Sequence, residues 1–167
     1  MRPGILFGLI SGGANALWVL VGFRYGISSK PGFAWVGFAP LIFLFIMVFL
    51  AQWRQKFTVR KGTLGFREGF KEGMLTAALT SVLIGFAVWL SLSVMDPGFV
   101  ERLVAQSEVF FRKQGKSITE IMRNSQALRE NYVNSQLAGN IFFTLFSGTM
   151  FSMLIAAFLR TVEPKKV

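Results

Sequence analysis

The chain has 167 residues, of which 53% are apolar, 15% aromatic and 16% charged, with a net charge of +10, no histidine and no cysteine. Those proportions exclude a disordered polar chain, a disulfide scaffold and a cysteine-bound metal site. A mean hydropathy of +0.52 with 19 phenylalanines exceeds what a soluble domain of this length buries, so a bilayer is the expected solvent.

The first apolar run, Gly4 to Phe23, is free of ionisable side chains and reaches the roughly 20 residues that a helix needs to cross a hydrocarbon core about 30 Å thick. Met1, Arg2 and Ala14-Asn15-Ala16 imitate a signal peptide with a cleavage site. Cleavage there would strand Leu17 to Phe23, which is too short to span, so an uncleaved first helix is expected. Gly4, Gly8, Gly12 and Ala16 recur at every fourth position. Lipid gives helices no hydrophobic drive toward one another, so small residues that let backbones approach closely read as a packing seam, within one chain or between chains. Ser11 and Asn15 are polar members of this run. Asn15 lies nearest a midplane and is expected either to hydrogen-bond another helix or to line a narrow polar path.

The second run, residues 33–53, carries Pro40 near its middle, where it should bend the helix and free a carbonyl. Trp35 and Trp53 fall at its two ends, the depths that amphipathic rings favour, and Trp18 and Trp89 lie in the outer parts of their own runs. A basic loop, residues 54–73, follows, with Arg54, Lys56, Arg60 and Lys61 suited to anionic lipid headgroups. Its last stretch, Gly65-Phe66-Arg67-Glu68-Gly69-Phe70-Lys71-Glu72-Gly73, is nearly a tetrapeptide repeat. Read as a helix, it sets glycines, phenylalanines, cations and carboxylates on four separate stripes, an amphipathic entry helix leading into the third span at the cytoplasmic surface, whose charges either pair with one another or meet anionic lipid or a partner. The third run, residues 74–95, continues the small-residue stripe of Gly65, Gly69 and Gly73 through Ala77, Ser81 and Gly85, beside Thr76 and Thr80.

Residues 96–136 are the only sizeable polar stretch. Asp96 can cap a helix with Pro97 in its first turn, and Val100, Leu103, Val104, Ser107 and Phe111 follow a helical face. The pattern breaks at Gln114-Gly115-Lys116. Ser117 and Glu120 then have capping-box spacing, and Ile118, Ile121, Met122, Ser125, Leu128 and Tyr132 resume the face. The result is a helical hairpin outside the membrane, its apolar faces covered by each other, the bundle, headgroups or another protein. The fourth run, residues 137–159, carries a third stripe, Gly148, Ser152 and Ala156, with Asn140, Thr144, Ser147 and Thr149 as its polar residues.

Backbone polar groups find no water in lipid, so all four runs should be α-helices. The expected fold is all-α: one membrane domain over residues 1–167, an integral bundle of four transmembrane helices with an extracytoplasmic amphipathic hairpin between the third and fourth. With the N-terminus cytoplasmic, the inner segments hold ten cations against three carboxylates and the outer segments eight against five. The positive-inside rule therefore puts both termini in the cytoplasm and accounts for the basic charge without nucleic acid.

Phe66, Phe70, Lys71 and Gly73 at the mouth of the third span, the long polar insertion before the last span and the sequence Ala156-Ala157-Phe158-Leu159-Arg160 carry a resemblance. On them the chain resembles the bacterial four-helix membrane proteins known as domain of unknown function 4199, over nearly its whole length. The resemblance implies an inner-membrane protein of bacteria and supplies no catalytic residue.

Without histidine or cysteine there is no imidazole base, thiolate nucleophile, zinc site of the usual type or haem ligation by those residues, so no metal or cofactor is expected. No ionisable side chain lies deep in a run, which disfavours an ion-coupled transporter. The expected role is a non-catalytic accessory or scaffold subunit, with the bilayer, its anionic lipids, and other membrane subunits or a second copy as partners. The alternative is a small uncoupled channel or carrier for a neutral or lipid-like solute, in which Asn15, Thr80, Asn140 and Thr144 would form the polar site. A lipid-acting enzyme would need Ser, Thr or a carboxylate such as Asp96 to converge with other polar residues of the outer leaflet.

Overall fold

The computed structural model describes residues 1–25 and 38–161, and every regular element among them is helical. Helix α1 runs Pro3–Tyr25, α2 Ala39–Arg54, α3 Phe66–Leu90, α4 Phe99–Lys113 and α5 Ile118–Leu159. A single π-helical turn extends α2 over Gln55–Val59 and α3 over Ser91–Met95. Four of these stretches are long and apolar enough to cross a membrane: Pro3–Tyr25, Ala39–Val59, Phe66–Met95 and Ile118–Leu159. The chain is thus an all-α protein of multi-pass membrane character.

Helix α3 is the hub. It packs along α1 on one side and along α5 on the other, while α2 lies across all three. Small residues make this possible, because α3 must bury two faces at once and bulky side chains would hold its neighbours apart. Gly4, Glu72, Leu64 and Thr161 are joined by contacts at one end of the bundle, so the first residues of α1 and the last of α5 share that end. Leu64, fully buried, drops from the α2–α3 loop into a cluster with Leu44, Val48, Ile155 and Leu159. The loop reverses through Lys61 and Gly62 at φ of 50° and 100°, the second a conformation that glycine adopts without steric cost. Thr161 then staples it, donating its N–H to the Leu64 carbonyl at 2.9 Å and accepting the Leu64 N–H at its hydroxyl at 3.1 Å.

The second span departs from the sequence pattern. Helix α2 starts at Ala39, so Pro40 stands in the first turn and bends nothing, because its missing N–H falls among donors that lack an intrahelical partner anyway. The helix then runs past Trp53 and carries Arg54 and Lys56 on its own end rather than in a loop. The expected span start at 33–37, Lys30, Trp35, Glu163, Lys165 and Lys166 lie outside the described residues. The repeat from Gly65 to Gly73 leads straight into the third span: Gly65 is the N-cap, and the rest is the first two turns of α3.

At the opposite end, α4 begins later than its expected cap. Asp96 accepts the Phe99 N–H at its carbonyl, at 3.0 Å, and turns its carboxylate to Arg102. The Ser117–Glu120 capping box does form, with both reciprocal bonds at 3.3 Å. From it α5 runs 42 residues without a break, about 63 Å, so the second hairpin arm and the fourth span are one rod. The arms pack through Val104, Ile121 and Ser125, with Ser125 Oγ donating to Glu108 at 2.8 Å and Arg129 Nε reaching both oxygens of Glu101 at 3.2 Å. Leu103, Ser107, Phe111, Leu128 and Tyr132 are half-buried, whereas Ile118 and Met122 are exposed. The hairpin seats on the bundle through Phe99, whose ring lies 5.3 Å from Phe23 and 6.0 Å from Tyr132. Burial there holds the Tyr132 phenol above its ordinary pKa.

Candidate functional site

The buried polar groups gather along two seams of α3. On the first, α1 lies against α3 with only glycine between the backbones: a methyl group added at Gly8 would meet Leu79 Cβ at 2.9 Å, and one at Gly4 would meet the Glu72 carbonyl at 2.6 Å. Gly12 is closed in the same way by Leu83. The buried face of α1 is Gly4, Gly8, Ser11, Gly12 and Asn15, with Ala16 only half-buried. A strict four-residue stripe drifts about 40° per step on a helix of 3.6 residues per turn, so after Gly12 the seam passes to Asn15.

Glu72 anchors this seam. Its buried carboxylate accepts the Gly4 N–H at 2.8 Å, one of the first-turn donors of α1 that no intrahelical carbonyl can reach. A negative group there also faces the positive end of the helix dipole. Thr76 and Thr80 continue the row at i+4 and i+8. Thr76 Oγ1 lies 3.0 Å from the Glu72 carbonyl and 3.3 Å from that of Gly4; Thr80 Oγ1 lies 2.8 Å from Thr76 and 3.5 Å from Gly8. Each hydroxyl leans on its own helix and toward a glycine carbonyl of α1. Asn15, also buried, donates to Ser11 Oγ at 3.4 Å.

The second seam joins α3 to α5. Gly148 sits on Ala77, and Gly73 on Ser152, in each case too closely for a Cβ; a methyl at Gly85 would meet Ile141 at 2.9 Å, and one at Gly69 would meet Ala156 at 3.3 Å. Ser81, Ser152 and Ala156 are buried on the same seam or beside it. Into the notch of Gly69 and Gly73 comes Gln52 of α2, fully buried, donating to the Ser152 carbonyl at 3.1 Å. Its Oε1 has no hydrogen-bond partner among the described residues and lies 3.2 Å from where a Cβ of residue 69 would stand. Gln52 therefore locks three helices at one point.

The four residues expected to share a polar site are not brought together. Thr80 faces α1, Thr144 is buried one turn from Gly148 on the α5 side, and Asn140 donates to the Gln136 carbonyl of its own helix at 2.8 Å. Asn15 instead borders a cavity of about 220 Å³ between α1 and α2, lined by Ala14, Trp18, Ala39, Pro40 and Phe43. Phe66 and Phe70 stack 6.1 Å apart at the start of α3 beside exposed Lys71, while Gly73 is the notch glycine. Of the four loop cations, Arg60 pairs with Glu68, and Lys56 lies 5.4 Å over the Phe57 ring; Arg54 and Lys61 are exposed.

Two residues central to these seams escape a reading of the sequence. Glu72 looks like one of four alternating surface charges, because i+4 spacing from Glu68 does not reveal that α1 begins beside it. Gln52 did leave a signal: it is the only amide in an otherwise apolar run from 33 to 53.

The family described as Protein of unknown function (DUF4199) matches residues 6–161. No curated protein and no solved structure matches the chain.

Proposed function

The chain belongs to the DUF4199 family, whose description assigns no function, and from its geometry we propose that it is a non-catalytic accessory or scaffold subunit of a membrane assembly. The observation that carries this reading is what the buried polar groups do. Glu72, Thr76, Thr80, Gln52 and Ser152 all direct hydrogen bonds at helix backbones, which builds a rigid platform. On this reading the protein sits in the cytoplasmic membrane of a bacterium, with the end that holds Gly4, Leu64 and Thr161 on the cytoplasmic side and the hairpin outside. The bilayer is one partner. Arg54, Lys56 and Lys61 would meet anionic headgroups there, while Arg60 is engaged by Glu68. Affinity purification of the full chain from native membranes, with identification of the proteins and lipids that accompany it, tests the proposal. A stoichiometric membrane partner is the expected result; a partnerless monomer counts against it.

A second reading, an uncoupled carrier of a neutral or lipid-like solute, has one observation in its favour: the cavity beside buried Asn15. Solute flux through proteoliposomes that Asn15→Leu abolishes would move the assignment there.

A further inference from the structure

The hairpin ends in a feature that neither seam explains. At the turn between α4 and α5, Phe110 is 57% exposed, Met122 67% and Ile118 77%, and Val109 is exposed beside them. The same turn carries Arg112, Lys113, Lys116 and Arg123, all exposed, and none of these cations is in an ion pair among the described residues. Of the two carboxylates nearby, Glu120 accepts the Ser117 N–H in the capping box and Glu108 accepts the Ser125 hydroxyl. Apolar side chains and cations thus protrude together from a turn shaped by that box and by Gly115 at a φ of 72°, with Lys116 lying 4.6 Å over the Phe111 ring.

The length of α5 decides where this tip can reach. Residues 118–136 carry it roughly 28 Å beyond the apolar run that starts at Leu137. The apolar run itself is about 35 Å long, so fitting it to a 30 Å core needs a tilt of about 30°, which still leaves the tip about 24 Å above the core. Headgroups occupy only about 5 to 8 Å of that distance, so the bilayer that holds the bundle is out of reach. A protein partner is a poorer fit, because a convex turn with one phenylalanine and three aliphatic side chains lacks the well-packed apolar core within a polar rim that a stable complex covers over about 800 Å² per partner. Convex apolar side chains ringed by cations suit a soft anionic surface, where the apolar side chains enter between acyl chains and the cations meet headgroups.

We propose that the hairpin tip is a contact site for the anionic headgroups of a second, apposed bilayer. The inference rests on the membrane reading of the four spans and does not require the scaffold role. The chain has no cysteine, so Ile118→Cys and Asn134→Cys give unique sites for an environment-sensitive fluorophore, one at the tip and one partway down the rod. The full chain is held in nanodiscs of phosphatidylcholine and mixed with vesicles containing about a third phosphatidylglycerol, or with none. The probe at 118 should brighten and shift to the blue with the anionic vesicles only, and the probe at 134 should not respond. The response at 118 should be lost when Lys113→Gln and Lys116→Gln are added, or Phe110→Ser and Met122→Ser. The proposal is overturned if the probe at 118 is silent, if it responds equally to neutral vesicles, if the tip variants respond like the parent, or if an acidic protein and not the vesicles shields it. Co-migration of the chain with its own nanodisc reads the spans independently, so the spans and the tip can fail separately.

Discussion

Glu72 shows how one side chain can fix the relation of two helices. Its carboxylate takes the Gly4 N–H at 2.8 Å inside the α1–α3 seam, where water cannot replace it. Glu72→Ala would strand that donor and should cost about 1 to 3 kcal/mol. Glu72→Gln keeps an acceptor and loses only the charge at the helix end, a smaller effect of about 0.5 to 2 kcal/mol. Thermal unfolding in detergent, followed by tryptophan fluorescence, should rank the parent above Gln and Gln above Ala. The glycines divide in the same physical way. Gly148 and Gly73 have no room for a methyl group, whereas nothing lies within 4 Å of such a group at Gly13 or Gly139. Gly148→Leu, Gly73→Leu and Gly8→Leu should therefore disrupt the bundle far more than Asn15→Ala does. Gly139→Ala should be neutral or stabilise by up to about 1 kcal/mol, since alanine loses less backbone entropy in a helix. Equal tolerance of these substitutions in the same assay would refute the seam geometry.

At the scale of elements, α4 and the outer arm of α5, residues 118–136, form a unit that is loosely dependent on the bundle. Its interior is small, with Val104, Ile121 and Ser125 buried, and its ion pairs Asp96–Arg102 and Glu101–Arg129 are exposed, worth at most about 1 kcal/mol each. The capping box matters more to it. Ser117→Ala should weaken the hairpin by about 1 kcal/mol, seen as faster amide exchange across residues 99–125 with no change in the spans. Cleavage by trypsin at Lys113 or Lys116 should leave a bundle that still migrates as one folded particle, because α1, α2, α3 and the inner part of α5 hold one another without α4.

For the whole molecule, the arrangement makes a prediction about sidedness. The contacts Gly4–Glu72 and Leu64–Thr161 put both described ends of the chain at one end of the bundle. Reporter tags fused before Met1 and after Val167 should then be accessible from the same side of a sealed vesicle, which the proposed orientation makes the cytoplasmic one. Tags reporting from opposite faces would break both the topology and the packing.

How much of this was legible beforehand follows from what each feature depends on. Spanning length, helical periodicity and the Ser117 capping box are local, set by neighbours within a turn or two, and the residues alone declare them. The small-residue stripes were visible too, but not their partners. A glycine row states that something approaches closely, and only packing shows that α1 takes one face of α3 and α5 the other. Pro40 reads as a mid-span bend in the sequence because an apolar run does not say where in it the helix starts. The division of roles between Glu68 and Glu72, identical in local pattern, was decided by α1, which is 68 residues away from Glu72 at Gly4. The sequence by itself determined the class of protein and the solvent it lives in, because hydrophobicity and helix period are sums over neighbouring residues. Tertiary structure alone decided which charge is buried, which amide locks three helices and which apolar side chains are left facing water, because burial depends on what a distant segment covers.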